Sequence, residues 1–160
     1  MALSGFMIIA MMASMVWQPR PLLVWNGSAS APIGLYTVAP PTEVRAGEMV
    51  IAWTPKSVRT LAAERRYLPS NVPLVKRAVA ASGDRVCAIG KTISVNGRYV
   101  ATRRKVDGKG RPMPWWTGCR GLAEQELFLL MDSPASFDGR YFGMTKKEQQ
   151  VGRAVLLWPR

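Results

Sequence analysis

Lys76 stands inside the apolar run Val72-Pro-Leu-Val-Lys-Arg-Ala-Val79. On a strand it shares a face with Leu74 and Ala78, while Val75 and Arg77 point the other way. Such a lysine can snorkel its ammonium to the surface. Alternatively, burial disfavours the charged form, lowers the pKa by several units and leaves an amine that is basic near neutral pH. The segment Asn26-Gly-Ser-Ala-Ser-Ala-Pro-Ile-Gly-Leu-Tyr36 offers the hydroxyls of Ser28 and Ser30, although its composition alone reads as a turn or linker. Ser136-Phe-Asp-Gly-Arg-Tyr-Phe-Gly143 reads as a loop after an apolar strand. The 160 residues include no histidine and two cysteines. That inventory excludes a Ser-His-Asp triad, a Cys-His pair, a His-ligated zinc site and a four-cysteine zinc site. A hydrolase made from it needs Lys, Asp, Glu or Tyr as proton acceptor, and a desolvated lysine can activate a serine. No cofactor or metal is expected.

The order of these motifs resembles the bacterial signal peptidase family. Ser-x-Ser comes first, then Lys-Arg-Ala-Val followed by Gly-Asp-x-Val, then Ser-x-Asp-x-Arg-Tyr-Phe-Gly. The stretches AAERRYLPSNVPLVKRAVAASGDRVC, GRPMPWWTGCRGL and SFDGRYFG are more similar still to its TraF-type conjugative-transfer branch. The similarity runs from about Asn26 to Trp158. It implies Ser30 as nucleophile and Lys76 as general base. It implies an oxyanion hole from the Ser30 N–H and the Ser28 hydroxyl, with Ser136 orienting the lysine. Arg77, Asp138 and Arg140 match a charged cluster that braces this loop against the lysine strand. The resemblance further implies a pilin precursor or other exported protein as substrate, which is cleaved and, in some systems, joined head to tail. Nucleic acid is not expected as a partner. Gly139 stands where Ser is usual, Met144 where Pro is usual and Ser82 where Pro is common. None of these is an assigned catalytic position, so they bear on loop geometry only.

The elements that must position these groups are mostly β. Strands are expected over Glu48–Trp53, Val72–Val79, Glu126–Met131 and Val151–Trp158. Asn96-Gly97 between Thr92–Val95 and Arg98–Val100 is the strongest short-range hairpin signal. One short helix is expected over Ser57–Tyr67, stopped by Leu68-Pro69. The fold implied is a signal-peptidase-like coiled β-sheet domain over residues 18–160. Thr102–Trp116, basic and rich in Gly and Pro, reads as a surface loop; its two tryptophans could also meet lipid head groups or nucleic acid.

Residues 1–17 are expected to form an N-terminal transmembrane anchor. Ala2–Trp17 carries no charged side chain, at the short end of the about 17–25 apolar residues that span a bilayer. A cleaved signal peptide and a buried helix are the competing readings; no basic residue precedes the run and no convincing cleavage site follows it. With the anchor in the bacterial inner membrane, the catalytic domain is expected to face the periplasm and to meet inner-membrane lipid. There Cys87 and Cys119 would pair as a disulfide, whereas in the cytosol they would be free thiols. The net charge of +12, from 22 Lys+Arg against 10 Asp+Glu, favours acidic partners or serves solubility. The alternative function is a non-catalytic, membrane-tethered basic component of a conjugation or secretion apparatus, in which Ser30 and Lys76 have no special role. A cytoplasmic self-cleaving repressor is disfavoured, since residues 1–25 carry no helix-turn-helix.

Overall fold

The computed structural model describes residues 21–40 and 43–160; the expected anchor lies outside them. Among the described residues no helix is long and apolar enough to cross a membrane.

Two antiparallel sheets make up the domain. The first contains β1 (Leu23–Asn26), β2 (Gly34–Ala39), β3 (Met49–Ala52), β4 (Leu74–Ala80), β9 (Phe128–Leu130) and β10 (Gln150–Pro159), in the spatial order β1-β2-β10-β3-β4-β9. The second contains β5 (Arg85–Ile89), β6 (Thr92–Val95), β7 (Arg98–Thr102) and β8 (Gly118–Gly121), in the order β7-β6-β5-β8. The chain passes from one sheet to the other at Ser82-Gly83-Asp84. There Gly83 adopts φ +87°, a conformation that costs glycine little.

The strands expected from the apolar runs form at those places, shortened by one or two residues at most ends. β4 is buried along both faces: Leu74, Val75, Lys76, Ala78 and Ala80 are all buried. Burial on both faces at the start of the strand explains why Leu74 and Val75 are both apolar; from Lys76 to Ala80 burial alternates, with Arg77 and Val79 half-buried. β3 and β9 flank it, with Val50 opposite Lys76 and Leu130 opposite Arg77. The β6–β7 hairpin turns at Asn96 (φ 50°) and Gly97 (φ 79°), the paired left-handed conformation of a two-residue turn. The Asn96 carboxamide also accepts from the Arg85 N–H at 2.8 Å and donates to Asp84 at 2.8 Å, tying the hairpin to the sheet crossover.

Three differences from the sequence expectation matter. The Asn26–Tyr36 stretch is not all turn: its ends lie in β1 and β2, and only residues 27–33 are loop. The helix, α1, spans Lys56–Glu64. Part of the Ser136–Gly143 loop is a second, one-turn helix, α2 (Gly139–Phe142), whose first turn is capped by Asp138 accepting from the Arg140 N–H. A short 3₁₀ turn over Lys147–Gln149 leads into β10.

Ala80, Val86, Ile93, Phe128 and Leu130 pack where the two sheets meet. Ala31, Tyr36, Ile51, Val75, Met131 and Val151 form a second cluster on the first sheet. It holds the loop after β1 against β4, and so brings Ser30 to Lys76.

Candidate active site

The loop between β1 and β2 is shaped by a residue that the sequence reading passed over. Asn26 is buried at the end of β1, and its Nδ2 donates to the carbonyl oxygens of Ser28, Ala31 and Pro32 at 3.0, 3.2 and 3.0 Å. Its Oδ1 accepts from the Ser28 N–H at 3.2 Å. Tyr36 Oη donates to the Pro32 carbonyl at 2.7 Å. One carboxamide and one phenol thus satisfy the Ser28, Ala31 and Pro32 carbonyls and the Ser28 N–H, and so fix where the loop's serines stand. The only sequence signal was Asn beside Gly, which reads equally well as an ordinary turn.

From this loop Ser30 Oγ lies 2.7 Å from Lys76 Nζ, and Lys76 Nζ lies 2.9 Å from Ser136 Oγ. Residues from the β1–β2 loop, β4 and the loop after β9 therefore converge on one amine. Ser28 Oγ is 3.0 Å from Ser30 Oγ and 3.4 Å from the Ser30 backbone nitrogen. The two groups assigned to the oxyanion hole are neighbours, with the Ser30 N–H directed at Ser28 Oγ.

Lys76 is 5% exposed. Burial is the main cause that lowers its pKa, to about 8; nearby Asp138 opposes the shift and Arg140 adds to it. Of the two readings of this lysine, the buried one holds and the snorkelled one does not. Asp138 and Arg140 form a fully buried pair, with Arg140 Nε 2.8 Å from Asp138 Oδ1 and Nη2 3.1 Å from Oδ2. Asp138 Oδ2 also accepts from the Met131 N–H at 3.1 Å, while Arg140 donates to the Met131 carbonyl at 2.5 Å. Burial pushes the Asp138 carboxyl upward and the Arg140 guanidinium pulls it back. This bidentate, charge-assisted lock closes the loop carrying Ser136 onto the end of β9.

Arg77 does not join that pair. It lies on the other face of β4, half-exposed, and meets Asp132 at 3.1 Å. The alternation along the strand that buries Lys76 carries its neighbour outward. Arg77 still bridges β4 to the loop after β9, but through Asp132 rather than Asp138.

The dyad opens into a cleft of about 470 Å³, lined by Ser28, Ser30 and Lys76 and by Val75, Tyr67 and Phe137. The Thr102–Trp116 segment forms one of its walls, through Arg104, Val106, Asp107 and Met113. It is a fixed arm. Asp107 accepts from Tyr67 Oη, from Arg111 Nε at 2.6 Å and from the Lys109 and Arg111 N–H groups at 2.8 and 2.9 Å. These hydrogen bonds hold its carboxyl below the usual carboxylate range despite its desolvation. At the arm's base, buried Arg103 stacks 4.0 Å from the Trp115 ring and donates to the Trp116 and Gly90 carbonyls. Cys87 and Cys119 are cross-strand partners in β5 and β8 and are joined as a disulfide, which ties the strand that follows the arm to the second sheet. Among the described residues no cluster of His, Cys, Asp or Glu could hold a metal ion.

Most of the chain is similar in sequence to known proteins. Over 148 residues it is 35% identical to the plasmid transfer protein TraF of Escherichia coli, covering 83% of this chain and 82% of that one. A second E. coli TraF sequence matches at 34% over 147 residues, with the same coverage. A solved signal peptidase I from Enterococcus faecalis superposes with a TM-score of 0.42 at 18% identity, over 74% of this chain and 99% of that one. The model of the family described as signal peptidase, peptidase S26, matches residues 1–158, and the chain belongs to that family.

Proposed function

We propose that this chain is a membrane-anchored serine endopeptidase that matures a pilin precursor for conjugative plasmid transfer, with Ser30 as nucleophile and Lys76 as general base. The observation that carries the dyad is the 2.7 Å approach of Lys76 Nζ to Ser30 Oγ inside a site where the lysine is 5% exposed. The conjugative role rests on similarity to the TraF plasmid transfer proteins.

In the reactive form Lys76 is neutral, and its Nζ accepts the Ser30 hydroxyl proton as Oγ attacks the substrate carbonyl. Ser136 Oγ, 2.9 Å away, holds the amine in line. A substrate carbonyl oxygen that displaces the Ser30 N–H···Ser28 Oγ contact takes the Ser30 N–H and the Ser28 hydroxyl as donors; deleting one such donor costs roughly 10²–10³ in turnover in comparable hydrolases. Collapse of the tetrahedral intermediate breaks the C–N bond, and Lys76 returns its proton to the leaving amine. The acyl-Ser30 ester then passes to water, giving a linear product, or to an amine, giving a new peptide bond.

The proposed location is the bacterial inner membrane, with the domain facing the periplasm. Residues 1–17 supply the apolar segment. The disulfide suits an oxidising compartment. An apolar rim at the β1–β2–β10 edge, with Leu22 79% and Trp158 71% exposed, suits contact with lipid.

The test is coexpression with a pilin precursor, following precursor size for wild type, Ser30→Ala and Lys76→Ala. Wild type is expected to convert the precursor and both variants to leave it intact. Conversion at the wild-type rate by either variant refutes the dyad.

A further inference from the structure

The cleft contains three charged lining residues, Lys76, Arg104 and Asp107. Two are already engaged. Lys76 Nζ is held between Ser30 and Ser136, and Asp107 is paired with Arg111 and hydrogen-bonded by Tyr67. Arg104 differs from both. Its backbone is clamped on both sides: its N–H donates to Tyr141 Oη at 3.1 Å and its carbonyl accepts from Trp115 Nε1 at 3.1 Å. The side chain is exposed, and among the described residues it enters no ion pair. No Asp or Glu occurs among the residues outside the described ones. A fixed backbone thus places Arg104, exposed and in no ion pair among the described residues, in the lining of the cleft that holds the dyad.

We propose that Arg104 is a specificity-determining residue that binds a carboxylate on the substrate, within reach of the scissile bond. A guanidinium binds carboxylates through two parallel N–H donors, and partial desolvation in a cleft strengthens that pairing. The carboxylate is an Asp or Glu side chain, or the substrate's own C-terminal carboxylate. The inference rests on the peptidase reading above and adds a substrate feature to it. The interaction serves orientation: a substrate held at one charged point and at Ser30 has its register along the cleft fixed.

The experiment uses the full chain in detergent and a set of peptides with small residues around the cleavage point. Each peptide carries Glu or Lys at one of the four positions on either side of the bond, and each is made with a free or an amidated C-terminus. Wild type, Arg104→Glu and Ser30→Ala are compared by kcat/KM. Wild type is expected to favour Glu at one position, or the free C-terminus, by about tenfold or more. Arg104→Glu is expected to reverse that preference toward Lys or the amide. Reversal is the diagnostic readout, because a merely structural role for Arg104 lowers all peptides alike. Preference at a Glu position identifies a side-chain carboxylate; preference for the free terminus identifies a terminal one. Activity that disappears in Ser30→Ala but keeps its wild-type selectivity in Arg104→Glu overturns this inference alone. Activity that survives in Ser30→Ala overturns the peptidase reading and this inference with it.

Discussion

Lys76 works in the proposed mechanism only while neutral, and the protein achieves neutrality mainly by withholding water. Burial lowers its pKa to about 8 from an ordinary 10.5, with Arg140 assisting and Asp138 opposing. The sign of the pH effect follows. Below pH 8 most molecules carry a protonated Lys76 that cannot accept the Ser30 proton. kcat/KM is therefore expected to rise about tenfold per pH unit on the acid side and to level off near pH 8. A limb that continues to about 10.5, the value of an ordinary lysine, refutes the desolvated base. The absence of histidine and the apolar run around one lysine made this group legible in the sequence. Asn26, which carries the neighbouring loop, was not legible in the same way. Its partners, Ser28, Ala31 and Pro32, are main-chain carbonyls, and hydrogen bonds to main chain leave no side-chain pattern to read.

At the level of elements, the join between β9 and α2 is the most sensitive. A Cβ built on Gly139 would lie 2.8 Å from the Leu129 carbonyl oxygen and 2.8 Å from Phe128 Cε2. The backbone of α2 can approach β9 that closely only with glycine at this position. Glycine in place of the usual serine is thus more than a matter of loop geometry: in this chain it is a steric requirement next to the Asp138–Arg140 lock. Gly139→Ala is expected to destabilise by about 1–3 kcal/mol through overpacking, read as a fall in melting temperature. It should also lower kcat, because α2 must move and carries Asp138 and Ser136 with it. Unchanged melting and unchanged kcat would refute that coupling. β3, β4, the β6–β7 hairpin and α1 were legible because burial or turn chemistry marks them locally. β8 was not: Gly118-Cys-Arg-Gly121 is exposed at every position, so no hydrophobic pattern exists. It is a strand because β5 pairs with it and Cys119 bonds Cys87 across that pairing. The arm's role escaped for a similar reason, since Tyr67 and Asp107 meet across 40 residues of chain.

For the whole molecule, the distribution of apolar surface points to an orientation. Leu22, Leu23 and Trp25 on one side and Val155, Leu156, Leu157 and Trp158 on the other are exposed. The register places Trp25 and Trp158 on either side of Leu35, one from β1 and one from β10. These residues gather at one edge of the first sheet, beside the loop that carries Ser30 and next to where the described chain begins. Scattered exposed leucines need no explanation, but a contiguous group with two tryptophans does. Tryptophan favours the membrane–water boundary, where its ring is half in apolar and half in polar surroundings. If the rim enters lipid, the cleft lies at the bilayer surface. The measurement is a nitroxide at Leu157→Cys in the full chain reconstituted into vesicles, with Lys109→Cys on the exposed arm as reference. The label at 157 is expected to be more accessible to oxygen than to a water-soluble relaxer, and the label at 109 the reverse. Equal, water-like accessibility at both sites would mean that the rim stays in solvent.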